Sequence, residues 1–320
     1  MYSTINSTSS TLMTMTRYKG ISNCQHEDLE VPMVSLVIVT SNNKRILTEC
    51  LYSVNSVEYS NLEVIVVDNG SSDGTSSLIS EKFPRVRIIR SERNLGYAAG
   101  NNLGIRNARG SYIILLNDDT MVEPQFITRL VEAMEIEPRA ALGSCKIYGM
   151  KGKRLQYAGG FIGNMGYPLM RGFGEEDKGQ YNNVTEVEWA SGACMIIRRK
   201  LLDEIGYLDD SFYFYYEDTD LSFRARKAGY KVIYIPTAVI RHQGAATTRR
   251  HWRYKVFGNR NHIKFLLRHF GSAYTARAIA WDLWNISPYR APYLLIALLW
   301  NCPELFSAMF KLKKDSHRYL

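Results

Sequence analysis

Three short polar runs, Thr40-Ser41-Asn42, Asp68-Asn69 and Asn117-Asp118-Asp119, each follow directly on a stretch of Val, Ile and Leu. A single run of this kind is ordinary turn and helix-cap chemistry, which Asp and Asn favour. Three buried strands that deliver acids or amides to one edge fit a ligand site better. In an extended segment side chains alternate, so Asn117 and Asp119 face one way and Asp118 the other. Two oxygen ligands on one side suit a hard divalent cation, Mg²⁺ or Mn²⁺, completed by substrate phosphates. The opposite carboxylate suits a pair of sugar hydroxyls. The pattern points to a substrate that carries a diphosphate.

A second acidic cluster is Glu217-Asp218-Thr219-Asp220, preceded by five aromatics from Phe212 to Tyr216. Helical spacing follows it, so Asp220 and Arg224 read as an i,i+4 pair at an acidic helix start. Asp218 follows the aromatic run, which is suited to wall a pocket. An aspartate at a helix start is expected to stay ionised, as a general base requires. His242 closes a short apolar strand; a lone histidine is more often structural than a ligand, and the six histidines do not otherwise cluster with acids, so no zinc site is supported. The turn after the first strand, Thr40 to Lys44, has no glycine, which excludes a dinucleotide fingerprint or a P-loop there. No G-x-S-x-G nucleophile elbow is present either.

These residues need a scaffold, and the hydrophobic pattern supplies one. Val34–Thr40, Leu62–Asp68, Val86–Ile89 and Ser111–Leu116 read as buried strands, with helices following near Ile46–Val54, Thr75, Tyr97–Ala108 and Pro124–Ile136. Asp73 is placed to cap the helix near Thr75. Such alternation predicts a doubly wound α/β sheet with ligands at the carboxyl ends of its strands. Beyond residue 140 the pattern loosens: a strand over Val187–Arg198 interrupted at Ser191-Gly192, and two short strands, Lys231–Ile235 and Ala238–His242, around Pro236. From Arg250 the chain reads as helical and basic.

The charge is uneven. The 320 residues carry a formal +9, but Arg241 to Leu320 hold 14 basic and 3 acidic residues, a net +11, leaving −2 for the rest. A near-neutral body argues against a nucleic-acid groove. The basic end suits an anionic partner such as a membrane surface, or is simply a helical cap with a solvated face. The five cysteines show no C-x-x-C pair and read as reduced thiols, no signal peptide is evident, and no apolar run is long enough for an ordinary span, so a cytoplasmic location is expected.

Taken together, Val34–Asn42, Val64–Thr75, Asn94–Asn102, Leu115–Thr120, Ser191–Cys194 and Glu217–Leu221 resemble the family 2 inverting glycosyltransferases of GT-A fold. Asn94-Leu95-Gly96 and the Glu-Asp-x-Asp-Leu stretch are most similar to its rhamnosyltransferase and galactofuranosyltransferase branch. The resemblance implies an α/β nucleotide-sugar-binding fold with a mostly parallel central sheet flanked by helices. It divides the chain into a tail (1–30), a nucleotide-binding half (31–140), an acceptor half (141–245) and a basic amphipathic helical extension (246–320). Thr40 and Asp68 would contact the base of a nucleoside-diphosphate sugar, Asn94 would complete its pocket, and Asp118 would bind ribose. Ser191, Gly192 and Glu217 fall in further substrate-binding stretches. Asp119 and His242 would hold the metal with Asn117, and Asp218 would be the catalytic base. Asn117 departs from the family's D-x-D triplet, and its neutral amide is a weaker ligand than a carboxylate.

The implied reaction moves a sugar from a UDP- or dTDP-sugar to an acceptor hydroxyl on a growing polysaccharide, glycan or lipid-linked saccharide, as in cell-envelope polysaccharide biosynthesis. Peripheral contact with anionic lipid on the cytoplasmic face would bring the enzyme to such an acceptor. A nucleotide-sugar-binding module without catalysis, or a nucleotidyltransferase of similar fold, would share the sheet. The second would release pyrophosphate.

Overall fold

A computed structural model describes residues 31–244, 252–287, 289–303 and 305. The expected tail over 1–30 lies outside the described residues, as do Arg249, Arg250, Lys311, Lys313 and Lys314. From Pro32 onward the described residues form one compact unit.

Four parallel strands make the first half of the sheet. They are β1 (Val34–Thr40), β2 (Leu62–Asn69), β3 (Arg87–Ser91) and β4 (Tyr112–Asn117), in the order β3-β2-β1-β4. Most Val, Ile and Leu side chains of β1, β2 and β4 are buried on both faces, as a parallel sheet covered by helices demands, while Ile88 and Ile89 of the edge strand β3 are half-buried. The covering helices are α1 (Lys44–Val54), α2 (Thr75–Lys82) and α3 (Gly96–Asn107). Helix α3 lies tightly on β1, because Gly100 and Gly104 leave no room for more: a Cβ at Gly104 would stand 2.3 Å from Val37 Cγ1. Asp73 bridges two helix starts by accepting the Lys44 and Thr75 backbone N–H groups, both at 3.1 Å, while Gly74 occupies the N-cap itself.

Register brings the polar runs together. Thr40 pairs with Asp68, and Val39 with Asn117. Beyond β4 come β5 (Thr120–Val122), α4 (Phe126–Ile136) and the long strand β6 (Ala140–Gly149). Next are β7 (Leu155–Tyr157) on β6, and a small hairpin, β8 (Gly160–Ile162) with β9 (Pro168–Met170). After β10 (Thr185–Glu186), the strand expected over Val187–Arg198 is regular only as β11 (Cys194–Arg198); it inserts antiparallel between β4 and β6. Its upstream part is turned out at Ser191-Gly192, so the turn lands beside Asn117.

Helix α5 (Arg199–Ile205) and helix α6 (Glu217–Lys227) lead into β12 (Lys231–His242). The two strands expected around Pro236 are this one strand, with a register shift between Ile235 and Val239 that absorbs the proline's missing N–H. β12 runs parallel to β6 and antiparallel to β5, which sets His242 opposite Thr120. Helices α7 (Trp252–His269), α8 (Ser272–Asn285) and α9 (Ala291–Trp300) complete the fold, with α7 against α9 and α8. Cys50, Cys145, Cys194 and Cys302 are free thiols.

Candidate active site

One cleft of about 680 Å³ opens along the carboxyl ends of β1 and β4, and among its walls are Thr40, Asn94, Asp118, Asp119, Asp218 and His242. Asn117, Ser191, Gly192 and Glu217 also line it; Asp68 does not. The Asp68 carboxylate is buried and turned into its own loop, where it accepts the Ser71 N–H at 2.9 Å and the Ser76 hydroxyl. It shapes the 69–74 turn beneath the cleft.

At the mouth of β1, Thr40 Oγ1 and Asn43 Nδ2 donate to Asp118 Oδ2 at 2.7 and 3.1 Å. Burial pushes the Asp118 carboxyl up to about 6, partly offset by those two donors. A carboxylate held in this state gains from further hydroxyl donors. Asn94 joins three parts of the rim: its Oδ1 accepts the Gly96 N–H at 2.8 Å and lies 3.4 Å from the Tyr213 hydroxyl, while its Nδ2 donates to Ser41 Oγ at 3.1 Å.

Asp119, Asn117 and His242 converge. Asp119 Oδ1 stands 3.0 Å from His242 Nε2, and the Asn117 amide is 3.2 Å from the same nitrogen. Gln156 fixes the imidazole from behind: its Nε2 donates to the His242 carbonyl at 2.9 Å, which leaves its Oε1 to accept from Nδ1, also at 2.9 Å. With Nδ1 engaged by Gln156, the His242 Nε2 and the Asp119 carboxylate lie 3.0 Å apart, a nitrogen and an oxygen donor placed to share a cation. The donor set thus fits a divalent metal, with the Asn117 oxygen available as a third ligand once its amide turns. Among the described residues no group of three His, Cys, Asp or Glu converges, so the amide is needed to complete a triad.

Across the cleft, Asp218 Oδ2 accepts the Gly192 N–H at 2.9 Å, and its Oδ1 accepts the Thr219 N–H at 2.6 Å. Tyr97 braces the same turn by donating its hydroxyl to the Gly192 carbonyl at 2.6 Å. Burial raises the Asp218 carboxyl above its ordinary value, and the Gly192 and Thr219 donors moderate the shift. A raised carboxylate is the stronger base once ionised. Glu217 beside it is buried, with Oε2 unpartnered, and burial together with the Asp218 charge pushes it well above its ordinary value. Asp220 sits in the first turn of α6 and pairs with Arg224 as its spacing predicts. It is fully buried, bonded to Arg224 (2.8 Å), Arg268 (2.8 Å) and His269 (2.9 Å), which together overcome burial and hold it below the usual range.

The aromatic wall is strained. Tyr213 has φ 63° and ψ −56°, and the Phe214 N–H reaches the Phe212 carbonyl at 2.7 Å: a γ-turn of the rare hand. Tyr215 and Tyr216 follow at φ 74° and 72°. Asn261 on α7, fully buried, holds this strap by donating from Nδ2 to the carbonyls of Phe212, Phe214 and Tyr215 at 2.8, 2.8 and 2.9 Å. The Tyr213 carbonyl in turn accepts the Tyr97 N–H at the start of α3 at 2.7 Å. Neither Gln156 nor Asn261 stood out in the sequence, because each is an isolated amide whose partners lie far away in the chain.

Comparison with known proteins gives the arrangement its context. Residues 35–206 match the family described as Glycosyl transferase family 2. The uncharacterized protein y4gI of Sinorhizobium fredii is 30% identical over 68% of this chain, which spans only 25% of that protein's length. The N-acetylglucosaminyl-diphospho-decaprenol L-rhamnosyltransferase of Mycobacterium tuberculosis is 26% identical over 68% of this chain and 78% of its own. A mannosyltransferase from Pyrobaculum calidifontis, solved with GDP-Man and Mn²⁺, shares the fold with a TM-score of 0.55 at 18% identity, covering 90% of this chain and 81% of that one.

Proposed function

This chain belongs to glycosyl transferase family 2, and on that premise we propose that it moves a hexosyl or rhamnosyl unit from a nucleoside-diphosphate sugar to an acceptor hydroxyl, with inversion. The observation that carries the reading is one cleft lined both by the Asp119–His242–Asn117 cluster and by the recessed Asp218. Asp218 takes the proton from the acceptor hydroxyl as that oxygen attacks the anomeric carbon, and the bond from that carbon to the diphosphate oxygen breaks. The Gly192 N–H keeps the Asp218 carboxylate aimed into the cleft. Asp118, already oriented by Thr40 and Asn43, accepts from the ribose hydroxyls, and Asn94 closes the nucleotide side. Asp68 supports the base pocket through the turn it holds, and Ser191 lines the path between donor and base. A divalent cation, Mg²⁺ or Mn²⁺, held by Asp119, His242 and the weaker Asn117, would neutralise charge on the departing diphosphate.

The donor is a UDP- or dTDP-sugar. The acceptor is a glycan or a lipid-linked saccharide, reached from the cytoplasmic face by peripheral contact with anionic lipid; the lipid diphosphate in the mycobacterial relative's name favours the lipid-linked case. A panel of nucleotide sugars screened by thermal shift, with Mn²⁺ and then with EDTA, tests the proposal. A ligand at a hundred times its Kd stabilises by about 2.7 kcal/mol. One UDP- or dTDP-sugar should raise Tm with Mn²⁺ and lose most of that effect with EDTA. No shift with any member of the panel would refute the reading, and release of pyrophosphate from the bound donor would replace it with nucleotidyl transfer.

A further inference from the structure

Helix α9 is built the wrong way round for a surface helix in water. Its ten residues carry no charged side chain. Leu294 and Ala297 are buried against Ile263 of α7, so the inward stripe is already satisfied. The outward stripe is also apolar: Pro292, Leu295, Ile296 and Leu299 fall at i, i+3, i+4 and i+7, and Leu299 is 72% exposed. Helix α8 adds Trp281 and Trp284, one turn apart and 52% and 89% exposed, and the connection to α9 adds Tyr289, also 89% exposed. Large apolar side chains exposed in this number along two consecutive helices mark an interaction surface.

The chemistry around the stripe selects the partner. Exposed Trp and Tyr on the helix and connection that lead into the apolar stripe, with Arg277 and Arg290 also exposed there, are the residues that settle at the headgroup level of a bilayer. Ten helical residues reach about 15 Å, half of a bilayer's roughly 30 Å hydrocarbon core. Among the described residues no helix is long and apolar enough to cross a membrane. A short, uncharged stripe bordered by aromatics and arginines suits a helix lying in the interface. The sequence just beyond α9 adds Lys311, Lys313, Lys314 and Arg318, which favours anionic lipid over neutral.

We propose that the α8–α9 face, with Trp281, Trp284, Tyr289, Leu295 and Leu299 as its anchors, seats the protein on an anionic bilayer. The face lies one helix away from the chemistry. Helix α9 packs on α7, and α7 contributes Tyr254 to the cleft wall and Asn261 to the aromatic strap. An acceptor carried on a membrane lipid therefore meets a cleft already held near its own surface; that consequence rests on the proposed transfer reaction, whereas the docking itself does not.

The test uses the full chain and 100-nm vesicles of phosphatidylcholine, either pure or with one quarter phosphatidylglycerol, at 0.1 M salt. Co-sedimentation should show at least tenfold tighter binding to the anionic vesicles, with a blue shift of tryptophan emission. The double substitution Trp284→Glu with Leu299→Glu should lower that binding at least tenfold and leave Tm within a few degrees, since both side chains face solvent. Equal binding by wild type and variant, or none by either, would overturn the proposal. A concentration-dependent dimer that the double substitution abolishes, without vesicle binding, would also overturn it and assign the face to a second copy. UDP and dTDP, each titrated with Mn²⁺ into the same samples, separate the two proposals: binding of either nucleotide without vesicle binding rejects only the docking, and vesicle binding without binding of either nucleotide rejects only the transfer reaction.

Discussion

Replacing Asn261 with Ala should slow the reaction far more than it weakens the nucleotide. The Asn261 Nδ2 serves three backbone carbonyls of the Phe212–Tyr215 strap at 2.8–2.9 Å, from a fully buried position. Each buried acceptor left without a donor costs about 1–3 kcal/mol. The γ-turn at Tyr213 and the left-handed Tyr215 and Tyr216 each store about 1–3 kcal/mol more, which relaxation would return. The strap should therefore rearrange, not persist unsatisfied, and the net loss should settle near the lower end, about 3 kcal/mol. At about 2 °C per kcal/mol for a chain of this size, Tm should fall by about 6 °C. The strap runs directly into Glu217 and Asp218, so a displacement of about 1 Å there should cost about a hundredfold in turnover. Nucleotide and Mn²⁺ affinity should change less than about fivefold, because Thr40, Asp118, Asp119 and His242 are held by other elements. Nucleoside diphosphate release, calorimetric titration and thermal melting on one preparation give all three numbers. Turnover within twofold of wild type, or turnover and affinity falling together, would refute the reasoning.

Three further changes separate the parts of the site. Gln156→Leu removes the acceptor that fixes the His242 ring and should weaken Mn²⁺ binding about ten- to a hundredfold by electron paramagnetic resonance, with Gln156→Glu restoring most of it; unchanged affinity would show that Gln156 does not orient the ligand. Glu217 is raised in the fold, so its protonated form stabilises the protein at low pH and that contribution is lost as pH rises through the raised value. Glu217→Gln should therefore gain in Tm relative to wild type as pH is increased, and a gap that is constant with pH would contradict the assignment. Gly104→Ala would drive a Cβ to 2.3 Å from Val37 Cγ1 and should lower Tm by several degrees by pushing α3 off the sheet; an unchanged melting curve would mean that the helix yields freely.

The parts of the fold legible in the sequence were those that repeat locally. The runs Val34–Thr40, Leu62–Asp68 and Ser111–Leu116 announce buried strands, and strand register alone then places Thr40 beside Asp68 and Asn117 next to Val39. Contacts made at long range stayed hidden. The single strand through Pro236 depends on a bulge that only its neighbour β6 reveals. The burial of Asp220 depends on Arg268 and His269 of α7, some fifty residues on, which no helix-start rule anticipates. The family resemblance assigns Asp68 to the nucleotide base, whereas its carboxylate is bonded to Ser71 and Ser76 of its own turn. The grip of Gln156 on His242 and of Asn261 on the strap joins side chains that carry no motif.

Asp218 is the proposed base, in a cleft proposed to take the nucleotide and metal as well. With a donor found in the nucleotide-sugar screen, nucleoside diphosphate release by Asp218→Asn measures this directly. Loss of a general base costs about 10²–10⁴ in rate. The variant should fall by at least a hundredfold while its Mn²⁺-dependent nucleotide affinity stays within about threefold, and wild-type kcat/KM should lose activity on the acidic side at a pH above the ordinary aspartate range. A folded Asp218→Asn protein that releases nucleoside diphosphate at a rate close to wild type would contradict the account.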